Sequence, residues 1–363
     1  MIMTGSGYEA FISGAHAFEC TWCHGGRNEK LLKDDAHVGL IADPSEGLDN
    51  KCAGCHADIA EHYATSLHAT LNGEHYLFEK RTGFAFELHP TIEEEYNNEC
   101  NKCHASCGSC HISRPKSVGG GFVQSHNFKR VPDLTNQCTA CHGSRVGDEY
   151  TGKNEGFAAD VHYVPAAMHC RNCHTGAEMH GDGTLYNYRY EVASAPACEN
   201  CHELNTAENL WHATHGDNFA CQVCHAQEYK NCNACHVGQG ITGSSYLAFK
   251  VGKNPIPDLK SYEYAVLRHI PIAEDTYSPW EETTMPYYAS EPSWKYATPH
   301  NIRRWTARTD TSGGQSCGYA CHNTPDDVSG FFLRQADLNA MTSEVERQAN
   351  QHLIVPDGPP TNW

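Results

Sequence analysis

The sequence predicts a fold of short α-helices and mostly irregular chain, wrapped around a core that the protein itself does not supply. Three observations lead to this prediction. Twenty cysteines form ten pairs of one pattern, but without the fixed period along the 363 residues that a solenoid would show. Only 39% of the residues are hydrophobic, counting the cysteines, so a conventional side-chain core is thin. One long stretch, residues 237–316, lacks the pattern and is rich in Tyr, Trp and Pro.

The repeated pattern is C-x-x-C-H, in which a histidine directly follows the second cysteine. Nine pairs fit it, and the tenth has one additional residue between its cysteines. The pairs are Cys20 and Cys23, Cys52 and Cys55, Cys100 and Cys103, Cys107 and Cys110, Cys138 and Cys141, Cys170 and Cys173, Cys198 and Cys201, Cys221 and Cys224, Cys232 and Cys235, and Cys317 and Cys321. The histidines that follow them are His24, His56, His104, His111, His142, His174, His202, His225, His236 and His322.

This spacing suits the covalent attachment of haem c. Two cysteines in one tight turn reach the two vinyl groups on neighbouring edges of the porphyrin, and the following histidine then lies beneath the iron as its proximal ligand. Zinc ribbons and disulfides are the alternatives, but neither requires a histidine after the second cysteine. Because a histidine follows all ten pairs, the sequence predicts ten covalent haems, with the extra residue of the tenth motif bulging out. The haems would then form the core.

Each iron needs a second axial ligand, and histidine is the residue type present in sufficient number. The chain has 25 histidines, ten of them in motifs, but only 6 methionines. This surplus predicts low-potential, bis-histidine haems throughout. The predicted second ligands are His16, His37, His68, His126, His162, His180, His215, His269, His300 and His352. The predicted non-ligands are His62, His75, His89, His169 and His212.

Two local predictions concern the C-terminal half of the chain. A helix is expected to open near Asp337, because apolar residues and His352 recur there every three or four positions and place His352 on a buried face. That face consists of Leu338, Met341, Val345, Ala349 and His352. Residues 245–251 and 262–270 are expected to pair as a small β-hairpin across an intervening Gly-Lys-Asn-Pro turn, with a wrapped coil as the alternative.

We expect a single haem-wrapping unit over residues 1–363. Residues 1–236 form its haem-dense region with nine motifs, residues 237–316 a haem-free insert, and residues 317–363 the tenth motif and the C-terminal helix.

Charge and hydropathy exclude several classes of partner. Lys and Arg number 26 against 44 Asp and Glu, a net charge of -18, which disfavours nucleic acid. No apolar run is long enough to span a membrane.

The first ten residues lack the features of a signal peptide. Since thioether attachment of haem occurs outside the cytoplasm, we expect an exported protein, extracellular or at the cell surface, whose signal has been removed.

With these motifs the chain resembles the multihaem c-type cytochromes of metal-reducing bacteria and archaea. The segments that carry the resemblance include Cys52–Ile59 followed by Ser66–His68, and Cys138–Arg145 followed by Asp160–His162. Within this family it is most similar to the filament-forming extracellular cytochromes. The resemblance implies an electron conduit whose partners are further copies of itself in a head-to-tail filament, redox-partner cytochromes, and extracellular electron acceptors such as metal oxides.

The motifs at Cys20 and Cys317 are the expected terminal haems at the joint between subunits, where His16 or His352 is a candidate ligand to iron of a neighbouring subunit. Two other functions stay open. One is a monomeric periplasmic electron shuttle, and the other is an octahaem-type multihaem reductase. An enzyme needs a haem with an open distal face, and the C-x-x-C-K signature of nitrite reductases is absent from the sequence. We therefore expect an electron carrier without catalytic residues.

Overall fold

The computed structural model describes residues 14–47, 50–99, 105–154, 156–228, 230–231, 248–280, 284–323 and 330–356. Two of the ten motifs, Cys100–His104 and Cys232–His236, lie outside the described residues. The packing of the chain separates two compact units. The first unit comprises residues 1–73, 97–143 and 170–194, and the second comprises residues 74–96, 144–169 and 195–363. These ranges do not follow the three segments expected from motif spacing.

Short helices and irregular chain make up most of the described residues. The α-helices are Cys20–His24, Lys33–Ala36, Ala57–Tyr63, Leu67–Thr70, Asn72–Thr82, Pro90–Glu99, Cys107–His111, Thr139–His142, Asp148–Thr151, Cys170–Cys173, Gly176–His180, Leu210–His215, Cys221–His225, Tyr319–His322, Gln335–Asn339 and Glu344–Asn350. The 3-10 helices are Phe86–Leu88, Lys116–Val118, Arg189–Glu191, Cys198–Asn200, Ser278–Trp280, Tyr288–Ser290 and Gln351–Leu353, and π-helical turns cover Leu134–Cys138 and Gly143–Gly147. Within the described part of the chain, no helix has the length and hydropathy needed to cross a membrane.

A small antiparallel sheet lies in the second unit. Its strands are Lys250–Lys253, Tyr264–His269 and Trp294–Tyr296, paired in that order. The first two strands fall in the segments for which the sequence predicts a hairpin, with Lys250 opposite Leu267. The first strand, however, runs through the glycine and lysine expected to turn. The connection comes later because Asn254 donates side-chain hydrogen bonds to the carbonyls of Lys260 and Tyr262.

The second unit has a side-chain core built on this sheet. Leu267, Trp294, Leu333, Leu338 and Leu353 are buried together, with Met341 and Ile354 packed against them. The segment after Arg334 thus folds onto the sheet and stabilises it by removing apolar surface from water.

The C-terminal helix differs from the prediction. It is two helices, Gln335–Asn339 and Glu344–Asn350, because the Ser343 side chain accepts a hydrogen bond from the amide of Glu346 and caps a new start. A 3-10 turn, Gln351–Leu353, follows the second helix and directs Leu353 into the core, whereas His352 is exposed. The expected apolar helix face that placed His352 inward is therefore wrong.

The described residues of the first unit form almost no side-chain core. Apart from proline, the one buried aliphatic or aromatic side chain among its described residues is Ala69. Its other buried side chains include Ser45, Ser66, Ser109 and Gln137. A compact domain of this size needs a substantial buried apolar body to offset its conformational entropy. The described residues of this unit do not supply one.

Candidate haem-binding sites

Eight motifs are described, and their local structure brings both cysteines of a motif to one side of a turn. Helices begin at the first cysteine in Cys20–His24, Cys107–His111, Cys170–Cys173 and Cys221–His225. Positions three apart on a helical turn are neighbours on its surface. None of the 16 described cysteines is fully buried, and none forms a disulfide. Each described motif therefore presents two thiols that a planar group could reach from outside.

Seven motif histidines each face a second histidine from elsewhere in the chain. In the first unit the pairs, with ring-centroid distances, are His24 with His126 at 6.0 Å, His56 with His16 at 6.2 Å, His111 with His180 at 6.1 Å, and His142 with His68 at 6.2 Å. In the second unit they are His202 with His162 at 5.8 Å, His225 with His212 at 6.2 Å, and His322 with His215 at 6.0 Å.

These distances fit one iron atom between the two rings. Two metal–nitrogen bonds of about 2 Å, with about 1 Å from each nitrogen to its ring centre, separate the centroids by roughly 6 Å. Two protein ligands on opposite sides complete six-coordinate haem iron, because the porphyrin supplies the four remaining nitrogens. Zinc in a structural site takes four protein ligands. The described residues contain no group of three or more His, Cys, Asp or Glu side chains placed to hold a metal ion. The donor set thus fits haem.

Hydrogen bonds that Nδ1 donates orient several of the motif histidines and their partners. Backbone carbonyls accept from Nδ1 of four paired histidines: Ile41 from His24 at 2.9 Å, Lys129 from His111 at 2.6 Å, Arg303 from His225 at 3.2 Å and Trp211 from His215 at 3.0 Å. Asp160 accepts from His162 and Glu178 from His174, both at 2.9 Å. A proton held on Nδ1 leaves the Nε2 lone pair free for a metal and fixes the plane of the ring.

Burial favours the neutral form of several of the paired histidines. It lowers the pKa of His16, His126 and His180, and the partner ring across the gap lowers each further. Burial likewise lowers the pKa of His68 and His225. Neutral imidazole is the form that binds a metal, so these sites are set for coordination at neutral pH.

The tenth motif has the same arrangement despite its additional residue. His322 ends a short helix, Tyr319–His322, and faces His215. A cavity of about 220 Å³ lies between the two segments. It is lined by Trp211, Thr214, His215, Ser316, Gly318, His322 and Asn323. The tenth motif thus has open space between its motif histidine and the histidine that faces it.

Four of the histidines predicted as second ligands are not seen facing a motif histidine among the described residues. His269 engages its Nε2 with Glu346 at 2.9 Å, which occupies the atom that would bind iron. His37 and His352 are exposed, and the backbone amide of His300 donates to the buried carboxylate of Glu149. Because two motif histidines, His104 and His236, lie outside the described residues, ligation by these four histidines stays a prediction.

One histidine that the sequence assigned to the non-ligands lies opposite a motif. His212 faces His225, from the short helix Leu210–His215 that also carries His215. Asn209 caps this helix by accepting from the amides of Trp211 and His212. The sequence did contain a signal for it. An asparagine followed by histidines three positions apart predicts one helical turn with both rings on one face.

Comparison with protein-family models, with curated proteins and with solved structures gave no match to this chain.

Proposed function

We propose that this chain is an electron-transfer protein that carries haem c at its ten C-x-x-C-H motifs and conducts electrons along them. The observation that carries the proposal is the set of seven histidine pairs spaced for a six-coordinate iron. Haem bound in this way accepts and releases single electrons. The absence of an apolar core among the described residues of the first unit supports the same proposal, since large apolar cofactors would supply it.

An electron carrier is favoured over an enzyme by the axial pairs. A reductase needs one haem face on which substrate can replace a ligand. A haem bound at any of the seven pairs would have both faces taken by histidine, and this includes the pair at the irregular tenth motif. A conduit needs no such vacancy, and the protein's contribution is to hold the groups at fixed spacing and tune their potentials.

The test is haem stoichiometry and ligation in the native protein. The intact mass after acid denaturation should exceed the chain mass by ten haems, and the oxidised protein should be entirely low spin. The double variant Cys317→Ser with Cys321→Ser should lose one haem, and the double variant Cys20→Ser with Cys23→Ser should lose one as its matched control. Zinc in place of haem, or a chain of unmodified mass, would contradict the proposal.

The location and partners form the second part of the proposal. A covalent haem protein is assembled outside the cytoplasm, so we propose an extracellular or cell-surface location, with other cytochromes and metal oxides as redox partners and further copies of the chain as neighbours in a filament. The net charge of -18 supports cationic or mineral acceptors. Fractionation of the native cells tests the location. Recovery of the holoprotein from the cytoplasm would contradict it.

A further inference from the structure

Thiols of different motifs contact each other in a regular way. The thiols of Cys52 and Cys107 lie within hydrogen-bonding range of each other, as do those of Cys170 and Cys138 and those of Cys221 and Cys198. Beside the first of these pairs, the Tyr63 hydroxyl donates to the carbonyl of Ala105 at 2.5 Å and joins the segments that carry the two motifs. All six are the first cysteines of their motifs. In the last pair, Nε2 of Gln222 also lies 3.9 Å from the Cys198 sulfur, which holds the two motifs together.

Other motifs lie close to each other through their second cysteines, at a range where the charge of one thiol acts on the next without a hydrogen bond. In the first unit the Cys23 and Cys55 thiols interact, as do those of Cys110 and Cys141. Two side-chain contacts also show that the motifs at Cys107 and Cys138 are neighbours. Nε2 of Gln137 donates to the carbonyl of Ser113 at 3.2 Å, and the Ser117 hydroxyl lies 3.4 Å from the Cys141 sulfur.

The second unit repeats this arrangement at its tenth motif. The Cys224 thiol interacts with those of Cys321 and Cys317. Independently, one short helix supplies both His212, which faces His225, and His215, which faces His322. The motifs at Cys221 and Cys317 are therefore neighbours by two separate criteria.

We propose that these contacts fix the order of the haem-binding motifs along the electron path within each unit. In the first unit the order is Cys20, Cys52, Cys107, Cys138 and Cys170, and in the second it is Cys198, Cys221 and Cys317. The proposal rests on the proposed function, because it assigns haem to these motifs. The chemical reason is that a thioether sulfur is joined to the porphyrin ring through one carbon atom. Two sulfurs in contact therefore place two ring edges side by side. The motifs at Cys100 and Cys232 lie outside the described residues and receive no place in the order.

The order is tested by a density map of the native holoprotein at side-chain resolution. The sulfurs of Cys52 and Cys107, of Cys138 and Cys170, and of Cys198 and Cys221 should be in contact, with no third haem between their irons. Haems present in another order would overturn this inference and leave the proposed function intact. Density without haem, or a disulfide within one of these pairs, would overturn both.

A spectroscopic test uses the same contacts. Haems at close quarters give a split circular-dichroism signal in the Soret region. Replacing all three attachment residues of the middle motif, Cys221→Ser, Cys224→Ser and His225→Ala, should remove the splitting contributed by two neighbour contacts. The matched triple variant at Cys317, Cys321 and His322 should remove that of one. Haem counting by mass verifies that each variant has lost a single haem. Both variants are compared in a background that lacks the haem at the motif of Cys232, so that this haem contributes to neither loss. Equal losses of splitting in that background would overturn the order in the second unit.

Discussion

The ring of His212 faces the ring of His225 across 6.2 Å, so His212 is the second ligand expected at the motif beginning with Cys221. We predict that His212→Ala leaves this one haem five-coordinate and high spin, while all haems stay attached through their thioethers. Electron paramagnetic resonance of the oxidised protein measures the change. The control is His62→Ala, since His62 is exposed and lies beside no motif histidine among the described residues. An unchanged low-spin count in His212→Ala would remove His212 from the ligands.

Arg308 places a buried positive charge beside the same motif. Its side chain donates to the carbonyls of Val223 and Ala226, and it forms an ion pair with the partly exposed Glu228 at 3.9 Å. A cation here favours the reduced haem, which carries one negative charge more than the oxidised form.

We predict that Arg308→Met lowers the midpoint potential of the nearest haem. The effect should be on the order of 1 kcal/mol, or about 40 mV for one electron, at an effective dielectric constant near 20. Arg308→Lys retains the charge and is the control. Potentiometric titration followed in the Soret band measures both variants. Equal shifts in the two would mean that Arg308 acts through packing rather than through its charge.

The sequence identifies the motif histidines but not all of the histidines that face them. The two groups differ in what determines their positions. The motif histidines are fixed by local covalent spacing, because the cysteines and the ligand share one turn. Their partners come from distant segments, as with His68 and His142. Six of the ten predicted second ligands do face a motif histidine in the structure, and His212 replaces none of them but adds a seventh pair. Composition reveals the surplus of histidine, whereas only tertiary packing selects the partner.

At the scale of elements, the tenth motif depends on a glycine. A Cβ added at Gly318 would lie 2.6 Å from Cζ3 of Trp211 and 3.2 Å from Cδ2 of His322. Trp211 stacks on His215, with ring planes 6° apart. The glycine thus lets the motif turn approach the helix that holds its proposed second ligand.

We predict that Gly318→Ala displaces Trp211 and, through it, His215. Overpacking of this kind costs about 1–3 kcal/mol of stability. The tenth haem should become partly high spin, as measured by paramagnetic resonance together with thermal unfolding. The control is Gly143→Ala beside His142, where the added Cβ would meet only Thr139 at 3.9 Å. A Gly318→Ala protein with unchanged spin state and unfolding temperature would contradict this role.

The regular elements show the same limit of local reasoning. The central strand begins with a continuous apolar run, residues 264–267, that the sequence reveals. The division of the C-terminal helix does not follow from its apolar period, which runs on through Met341. It follows from the Ser343 cap and from the burial of Leu353, one position after the histidine that the period favoured. A one-residue difference in register decides which side chain enters the core.

At the scale of the whole molecule, the two units differ in what holds them together. The second has a buried leucine core on a sheet, whereas the described part of the first buries serines, a glutamine and one alanine. The low apolar content predicted this shortage for the chain as a whole. It could not predict that the shortage falls mainly on one unit, because composition averages over the chain.

The proposed filament would have to form against the negative charge of the chain. The chain carries -18 before any haem propionates are counted, so neighbouring subunits repel one another. Exposed apolar side chains near the expected joint between subunits would oppose this repulsion. Leu31 and Leu32, which follow the motif at Cys20, are 101% and 70% exposed. Apolar contact is insensitive to moderate salt, whereas repulsion is screened over about 30 Å at 0.01 M and about 8 Å at 0.15 M ionic strength.

We therefore predict that the native protein is dispersed at about 0.01 M ionic strength and assembles into filaments at about 0.15 M, where the Debye length is short. Electron microscopy and sedimentation velocity measure the assembly. Leu32→Glu should shift the onset to higher salt, because it adds charge and removes apolar surface at the joint. Leu88→Glu makes the same change at a side chain that is also 70% exposed but lies in the other unit, and it serves as the control. A protein that stays monomeric at every ionic strength would contradict the filament and favour a monomeric electron shuttle.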